Sequence, residues 1–290
     1  MTDAIPAKPT EKPPRRYTRE LTAGLLAPFG VWVIGWSHPY VFAATIAVCS
    51  VLALHEFLIL GRKKGYEMPV PLCLAIAVVI LAAFVLEDLS VEMGMFVTLL
   101  VIPTSYVFSK KPLEDSLPSS AIAVLATMYV GMLGGSIIRL RNDFPEGPKL
   151  IFFLALVVWL GDAGAYYTGK NLGKRKMAPH ISPKKTIEGG IGGVVTSIVT
   201  AIVVHYTFFE KLPLVHAIIA GVILSIAGMI GDLAESMWKR SAAVKDSGTL
   251  IPGHGGFLDR FDSIFFTAPI LYCYWTLIVH GFRSLNIMSG

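Results

Sequence analysis

Apolar residues in this 290-residue chain fall in long runs separated by short polar connections. The runs occupy 20–36, 39–60, 70–86, 91–108, 117–138, 149–168, 188–206, 212–235 and 263–281. A helix that crosses the hydrocarbon of a bilayer needs about 20 mostly apolar residues. The pattern therefore predicts an all-α, polytopic integral membrane protein of about nine transmembrane helices. The first and third runs are the shortest, and an incomplete crossing is expected there first. The polar, Pro-rich stretch 1–16 predicts a disordered tail and lacks the pattern of a cleaved signal peptide. Residues 17–148 form an N-terminal membrane region of about five helices. Residues 149–290 form a C-terminal region of about four, with two long polar loops at 169–187 and 236–262. No internal repeat is visible.

Composition sharpens this picture. The chain is 54% hydrophobic and only 16% charged, with a mean hydropathy of +0.63. Soluble domains are about a quarter charged, so a water-facing globule is excluded as the leading class. Nothing in the pattern suggests a nucleic-acid partner. Cys49, Cys73 and Cys273 lie far apart inside apolar runs, as small buried hydrophobes do, with no metal-ligand spacing. Lys and Arg then orient the chain. With the tail in the cytoplasm, the inside segments hold 20 of the 25 Lys and Arg residues and the outside segments hold five. Losing one run would invert every later segment and destroy that bias. Both long polar loops thus face the cytoplasm, and the expected location is the cell (inner) membrane. The tryptophans fall near run ends and suit an interfacial belt.

The chemistry gathers at that face. Ionisable groups inside a span are costly unless paired or hydrated, which makes them functional candidates. Asp162 lies near the cytoplasmic end of the sixth run and Asp232 near that of the eighth. Glu235, Ser236 and Lys239 follow Asp232 at i+3, i+4 and i+7, so all four share one helical face. Asp259 and Asp262 open the ninth run with Arg260 between them, and Asp246 precedes them. Clustered carboxylates repel unless a cation lies between them. Oxygen ligands select Mg²⁺ or Ca²⁺, and Mg²⁺ uses one or two carboxylates together with substrate phosphates. Lys184, Lys185, Lys239, Arg240, Lys245 and Arg260 complete a surround suited to a polyphosphate. Helix capping and headgroup contact are the plain alternatives, the stronger ones for Glu235 or Asp162 taken alone. Gly253, Gly255 and Gly256 around His254 allow a loop whose amides face an anion, and an ordinary turn explains them about as well. "GAYYTGKN" (164–171) is not a phosphate-binding loop, since Asn171 lacks the required hydroxyl and no strand precedes it. The glycines of "EGGIGG" (188–193) are expected to serve close helix packing. Glu56, at the end of the second run, is expected to cap or to contact headgroups.

"SMWKRSAAVKDSGTLIPGHGGFLDRFD" (236–262) resembles the signature of the phosphatidate cytidylyltransferases, or CDP-diacylglycerol synthases. It is carried by Ser236, Lys239, Arg240, Lys245, Asp246, Gly248, Ile251, Pro252, His254, Gly255, Gly256, Asp259, Arg260 and Asp262. "ISPKKTIEG" (181–189) resembles a second conserved region, through Ser182, Pro183, Lys184, Lys185, Thr186, Glu188 and Gly189. The resemblance is strong over about 150–282 and only hydropathic before that. It implies a homodimeric, Mg²⁺-dependent enzyme that makes CDP-diacylglycerol and pyrophosphate from CTP and phosphatidate, with Asp232 and Asp259 as leading metal ligands. A second, monovalent cation such as K⁺ is compatible with the number of acids. Asp246 or Asp262 would be outer or second-site ligands, and Lys184 and Lys185 would hold either the lipid phosphate or the triphosphate. The rivals are an ion or phosphate transporter, which would spread its acids through the membrane depth, and another CTP-using lipid enzyme such as a polyprenol kinase.

Overall fold

The computed structural model describes residues 16–109, 112–250 and 255–280. Among these, nine α-helices follow in order: α1 (Arg16–Gly35), α2 (Pro39–Lys63), α3 (Val70–Ala82), α4 (Val91–Val107), α5 (Ser116–Asn142), α6 (Gly147–Leu172), α7 (Ile187–Thr207), α8 (Leu214–Ser241) and α9 (Leu258–Tyr274). A π-helical turn, Trp275–His280, extends α9. Six segments are long and apolar enough to cross a membrane: α2, α5 with the turn before it, α6, α7, α8, and α9 with the turn after it. The apolar part of α1 (24–35), α3 and α4 are shorter. At 1.5 Å per residue α3 spans only about 20 Å, against about 30 Å of hydrocarbon. The class read from the sequence, an all-α membrane protein, holds, and six of the nine helices have the dimensions of a full crossing.

Two boundaries differ from the sequence reading. The connection 169–187 is not an irregular loop. Its first residues complete α6, and an antiparallel hairpin follows, β1 (Lys176–Ala178) and β2 (Ser182–Thr186), with Lys176 opposite Thr186 and Ala178 opposite Ser182. In the same way α8 runs six residues past the end of the apolar run 212–235, to Ser241. Hydropathy ends where water begins, but a helix continues while its side chains find partners one turn apart. Here Ser236 Oγ donates to Asp232 Oδ1 at 3.2 Å, and Lys239 Nζ lies 3.2 Å from Glu235 Oε1.

Small residues set the α6–α7 seam. Gly161, Ala165 and Gly169 on α6 face Ser197, Gly193 and Gly189 on α7, both series spaced by four. A Cβ on Gly193 would stand 3.1 Å from the Ala165 Cβ and 3.2 Å from the Gly161 carbonyl oxygen. Such spacing lets two backbones approach closely in a bilayer, where packing rather than water exclusion drives association. Ser197 Oγ adds a bond across the seam to the Val157 carbonyl at 3.0 Å. The glycines of 188–193 thus pack helices, as expected. Thr186 caps α7 by accepting from Gly189 N at 3.1 Å, and Glu188 in its first turn accepts from the amides of Lys174 and Arg175 at 3.0 and 3.1 Å. The hairpin is thereby tied to the start of α7.

Beneath the charged end lies an aromatic cluster that joins four helices. Phe57 of α2, Tyr129 of α5 and Trp238 of α8 meet mostly edge-on with centroid separations of 4.7 to 5.9 Å, and Phe265 of α9 meets Tyr129 edge-on at 6.0 Å. Aromatic pairs of this geometry contribute beyond their buried area. They fix α8 and α9 against the N-terminal half, which is what positions the acids carried by those two helices.

Candidate active site

A cavity of about 650 Å³ opens where α6, α8 and α9 meet the hairpin. Its wall carries four carboxylates, Asp162, Asp232, Asp259 and Asp262, and four lysines, Lys170, Lys176, Lys184 and Lys185. The acids come from the helices, and three of the lysines come from the hairpin. The six residues that sequence reasoning placed here are joined by two it did not select, Lys170 and Lys176. Both were legible only as loop charge, because Lys170 lies in the last turn of α6 beyond the apolar run and Lys176 on a hairpin with no apolar pattern.

The acids and bases interlock. Lys185 Nζ on β2 lies 2.6 Å from Asp232 Oδ2 on α8. Lys239 Nζ lies 2.6 Å from Asp259 Oδ1 on α9 and 3.2 Å from Glu235 Oε1. Asp162 lines the same wall as Asp232, Asp262 and Lys185. Asp259 Oδ2 accepts from the amides of Ser247 at 3.0 Å and Gly256 at 2.9 Å. Gly255 has a φ of +82°, and a Cβ there would stand 3.0 Å from Asp259 Oδ2. A left-handed backbone beside a carboxylate requires glycine, so the glycine loop does have a structural duty toward Asp259. His254 and Gly253 lie outside the described residues.

Other candidates fall elsewhere. Glu235 is completely buried behind the wall, where Lys239 joins it to Asp259. Ser236 steadies Asp232, and Ser182 lies half-buried on β2. Lys245 and Asp246 are exposed and do not line the cavity. They sit in the irregular stretch after α8, where helical spacing no longer decides direction. Arg240 is also off the wall; its guanidinium donates to the carbonyls of Val244 at 3.0 Å and Ile181 at 3.4 Å, joining α8 to the hairpin. Arg260 follows Asp259 by one residue, a turn of about 100° around a helix. It lines a different, apolar groove of about 440 Å³ with Phe29, Phe42, Trp159, Phe257 and Phe261. Lys245, Asp246, Arg240 and Arg260 therefore stand off this cavity wall, whereas the cavity acids line it.

Among the described residues no three His, Cys, Asp or Glu side chains form a ready metal cage. Asp232 and Asp259 share the cavity, but each is paired to a lysine. The donor set nonetheless fits Mg²⁺, which takes only one or two carboxylates when phosphates supply its remaining ligands. Sequence reasoning also left the place of one buried acid unread. Glu56 of α2 is 3% exposed rather than at the headgroups. It accepts from Ser247 Oγ at 3.0 Å and Leu258 N at 2.9 Å. The only signal for it was an acid inside an apolar run.

The fold and the cavity define a multi-pass membrane protein that holds acids and lysines together at one end of its helices. Comparison with known proteins narrows the class. A model of the cytidylyltransferase family matches residues 17–278. The phosphatidate cytidylyltransferase of Bacillus subtilis (strain 168) is 36% identical over 237 residues, covering 80% of this chain and 87% of that protein. That of Staphylococcus haemolyticus (strain JCSC1435) is 37% identical over 257 residues, covering 87% and 96%. That of Staphylococcus aureus (strain COL) reaches 44% over 158 residues, covering 54% and 59%. The chain belongs to the cytidylyltransferase family.

Proposed function

We propose that the protein transfers CMP from CTP to phosphatidate, giving CDP-diacylglycerol and pyrophosphate for phospholipid synthesis. The single observation that carries this reading is the cavity where helix acids face hairpin lysines, in a chain similar over most of its length to phosphatidate cytidylyltransferases. A phosphate oxygen of phosphatidate attacks the α-phosphorus of CTP in line. The new P–O bond forms as the bond from the α-phosphorus to the bridging oxygen breaks, and pyrophosphate leaves with that electron pair. A phosphate monoester loses its second proton near pH about 6, so the nucleophile needs no general base from the chain. Positioning and charge neutralisation supply most of the acceleration in such reactions.

The residues divide that work. Lys170, Lys176 and Lys184 neutralise the triphosphate and the lipid phosphate. Lys185 holds Asp232 until phosphates compete for it. Asp232 and Asp259, with Asp262 on the same wall, are the residues that would hold Mg²⁺. The ion, when bound, neutralises phosphate oxygens. Lys239 keeps Asp259 turned toward the cavity. A second, monovalent cation and a homodimer belong to the proposal through the family resemblance alone. The cytoplasmic face and the cell (inner) membrane rest on the distribution of Lys and Arg.

The test is purified protein with labelled CTP, Mg²⁺ and a panel of lipid phosphates. Label appearing in CDP-diacylglycerol with phosphatidate, and pyrophosphate released in equal amount, is the expected result. Transfer of the γ-phosphate instead, or no transfer to any lipid phosphate, overturns it.

A further inference from the structure

Glu56 is a buried carboxylate for which the reaction scheme has no use. It lies on α2, far in sequence from the acids of the cavity. Its Oε2 accepts from Ser247 Oγ at 3.0 Å and from Leu258 N at 2.9 Å, while Oε1 is buried without a hydrogen-bond partner. Gly248 and Gly256 pack so tightly against it that a Cβ on either would overlap the carboxylate. Two features give this contact a direction. First, Ser247 joins two carboxylates: its hydroxyl goes to Glu56 and its amide to Asp259 Oδ2, at 3.0 Å each. Second, Leu258 is the first residue of α9, and the preceding residue, Phe257, provides no side-chain cap. Glu56 takes over that duty from another helix, at the positive end of α9. A carboxylate is buried at a cost unless it is hydrogen-bonded, so these donors and Glu56 hold one another in place.

We propose that Glu56 is a positioning residue for nucleotidyl transfer. It fixes Ser247 and the start of α9 so that the Ser247 and Gly256 amides hold Asp259 against Lys239 and toward the cavity. It touches no substrate and acts through Ser247. The kinetic part of the inference rests on the reaction proposed above, whereas its structural part does not.

The experiment uses the full chain in lipid nanodiscs as wild type, Glu56→Gln, Glu56→Leu, Ser247→Ala and the Glu56→Gln/Ser247→Ala double variant. Kinetics with CTP and phosphatidate are read beside amide hydrogen exchange. Glu56→Gln keeps one acceptor oxygen and should lower kcat about tenfold; Glu56→Leu keeps none and should lower it on the order of a hundredfold, with both KM values within about twofold. Exchange should quicken in peptides covering Ser247 and Gly256 and stay unchanged in α6 and α7. The double variant should lose little more than the worse single one, because the two residues act in one chain of contacts. An unchanged kcat, a raised KM at constant kcat, or faster exchange spread across α2 and α5 overturns the proposal. If the Glu56 variants do not fold, Ser247→Ala decides alone: a lowered kcat with local exchange supports the positioning role, and a normal kcat overturns it. If wild type shows no transfer, the reaction fails, and the exchange result still judges the contact.

Discussion

Replacing Lys239 by Met separates what holds the site together from what does its chemistry. Lys239 lies between two carboxylates, 2.6 Å from Asp259 and 3.2 Å from Glu235. The side chains of Lys239, Glu235 and Asp259 are only 11%, 1% and 7% exposed. Met matches the length of the lysine stem and removes the charge. Two carboxylates are then left facing each other with little water and no cation. Breaking a buried ion pair by deleting one partner costs about 3–5 kcal/mol. For a chain of this size that corresponds to a fall in Tm on the order of 10 °C. Adding Glu235→Leu removes the completely buried acid and should recover most of the lost Tm. Turnover should not return, because Asp259 still lacks the ammonium group that holds it. The assay is thermal unfolding of the purified variants in one detergent, followed by CTP turnover at a temperature where all are folded. A double variant no more stable than Lys239→Met would refute the reasoning, since the buried Glu235 would then not be the source of the cost. Full turnover in either variant would remove Lys239 from the site.

Three further outcomes are expected. Asp232→Asn keeps the shape but loses the charge facing Lys185, and should lower turnover at least about a hundredfold with little change in Tm; the Mg²⁺ dependence of any residual rate is the measurement. Lys185→Ala should raise the KM for CTP or phosphatidate well beyond any change from Arg260→Ala, because only the former lines the acidic cavity; equal kinetic effects would show the two cavities to be functionally one. Gly193→Val forces a branched side chain onto Ala165 and the Gly161 carbonyl, and should destabilise by about 1–3 kcal/mol or more, visible as a lowered Tm and loss of folded protein on extraction.

Much of this was legible in the sequence because a bilayer enforces it. Nine apolar runs became nine helices, and the spacing 232–235–236–239 placed four residues on one face as a helix must. What the sequence did not show was the direction of side chains where helical spacing stops deciding it. Arg260 adjoins Asp259 in sequence and faces another groove. Lys245 and Asp246 belong to the signature yet stand outside the cavity, since an irregular stretch sets their direction. Lys170 and Lys176 were hidden for the opposite reason: regular structure runs past the apolar pattern, α6 as far as Lys170 and a short polar hairpin at Lys176. Glu56 was the hardest to read. Its partners Ser247 and Leu258 lie about 200 residues away, and no local pattern encodes a contact between chain halves.

The cavity also explains why a membrane protein tolerates so many charges at one depth. Four acids and four lysines line the same wall, and the closest contacts pair opposite signs, Lys185 with Asp232 and Lys239 with Asp259. By formal charge, the four acids and four lysines of the wall balance. A triphosphate brings negative charge for the lysines, and a divalent cation brings positive charge for the carboxylates that those lysines release. Binding one without the other leaves a set of like charges unpaired in a partly desolvated space. Nucleotide and cation should therefore bind cooperatively, each raising the affinity for the other by the same factor. The coupling is measurable by titrating CTP at several Mg²⁺ concentrations with the wild type and with Lys185→Met. The variant frees Asp232 in advance and should weaken the mutual dependence. An undiminished coupling in Lys185→Met would mean that the Lys185–Asp232 pair is a static brace and takes no part in ligand exchange.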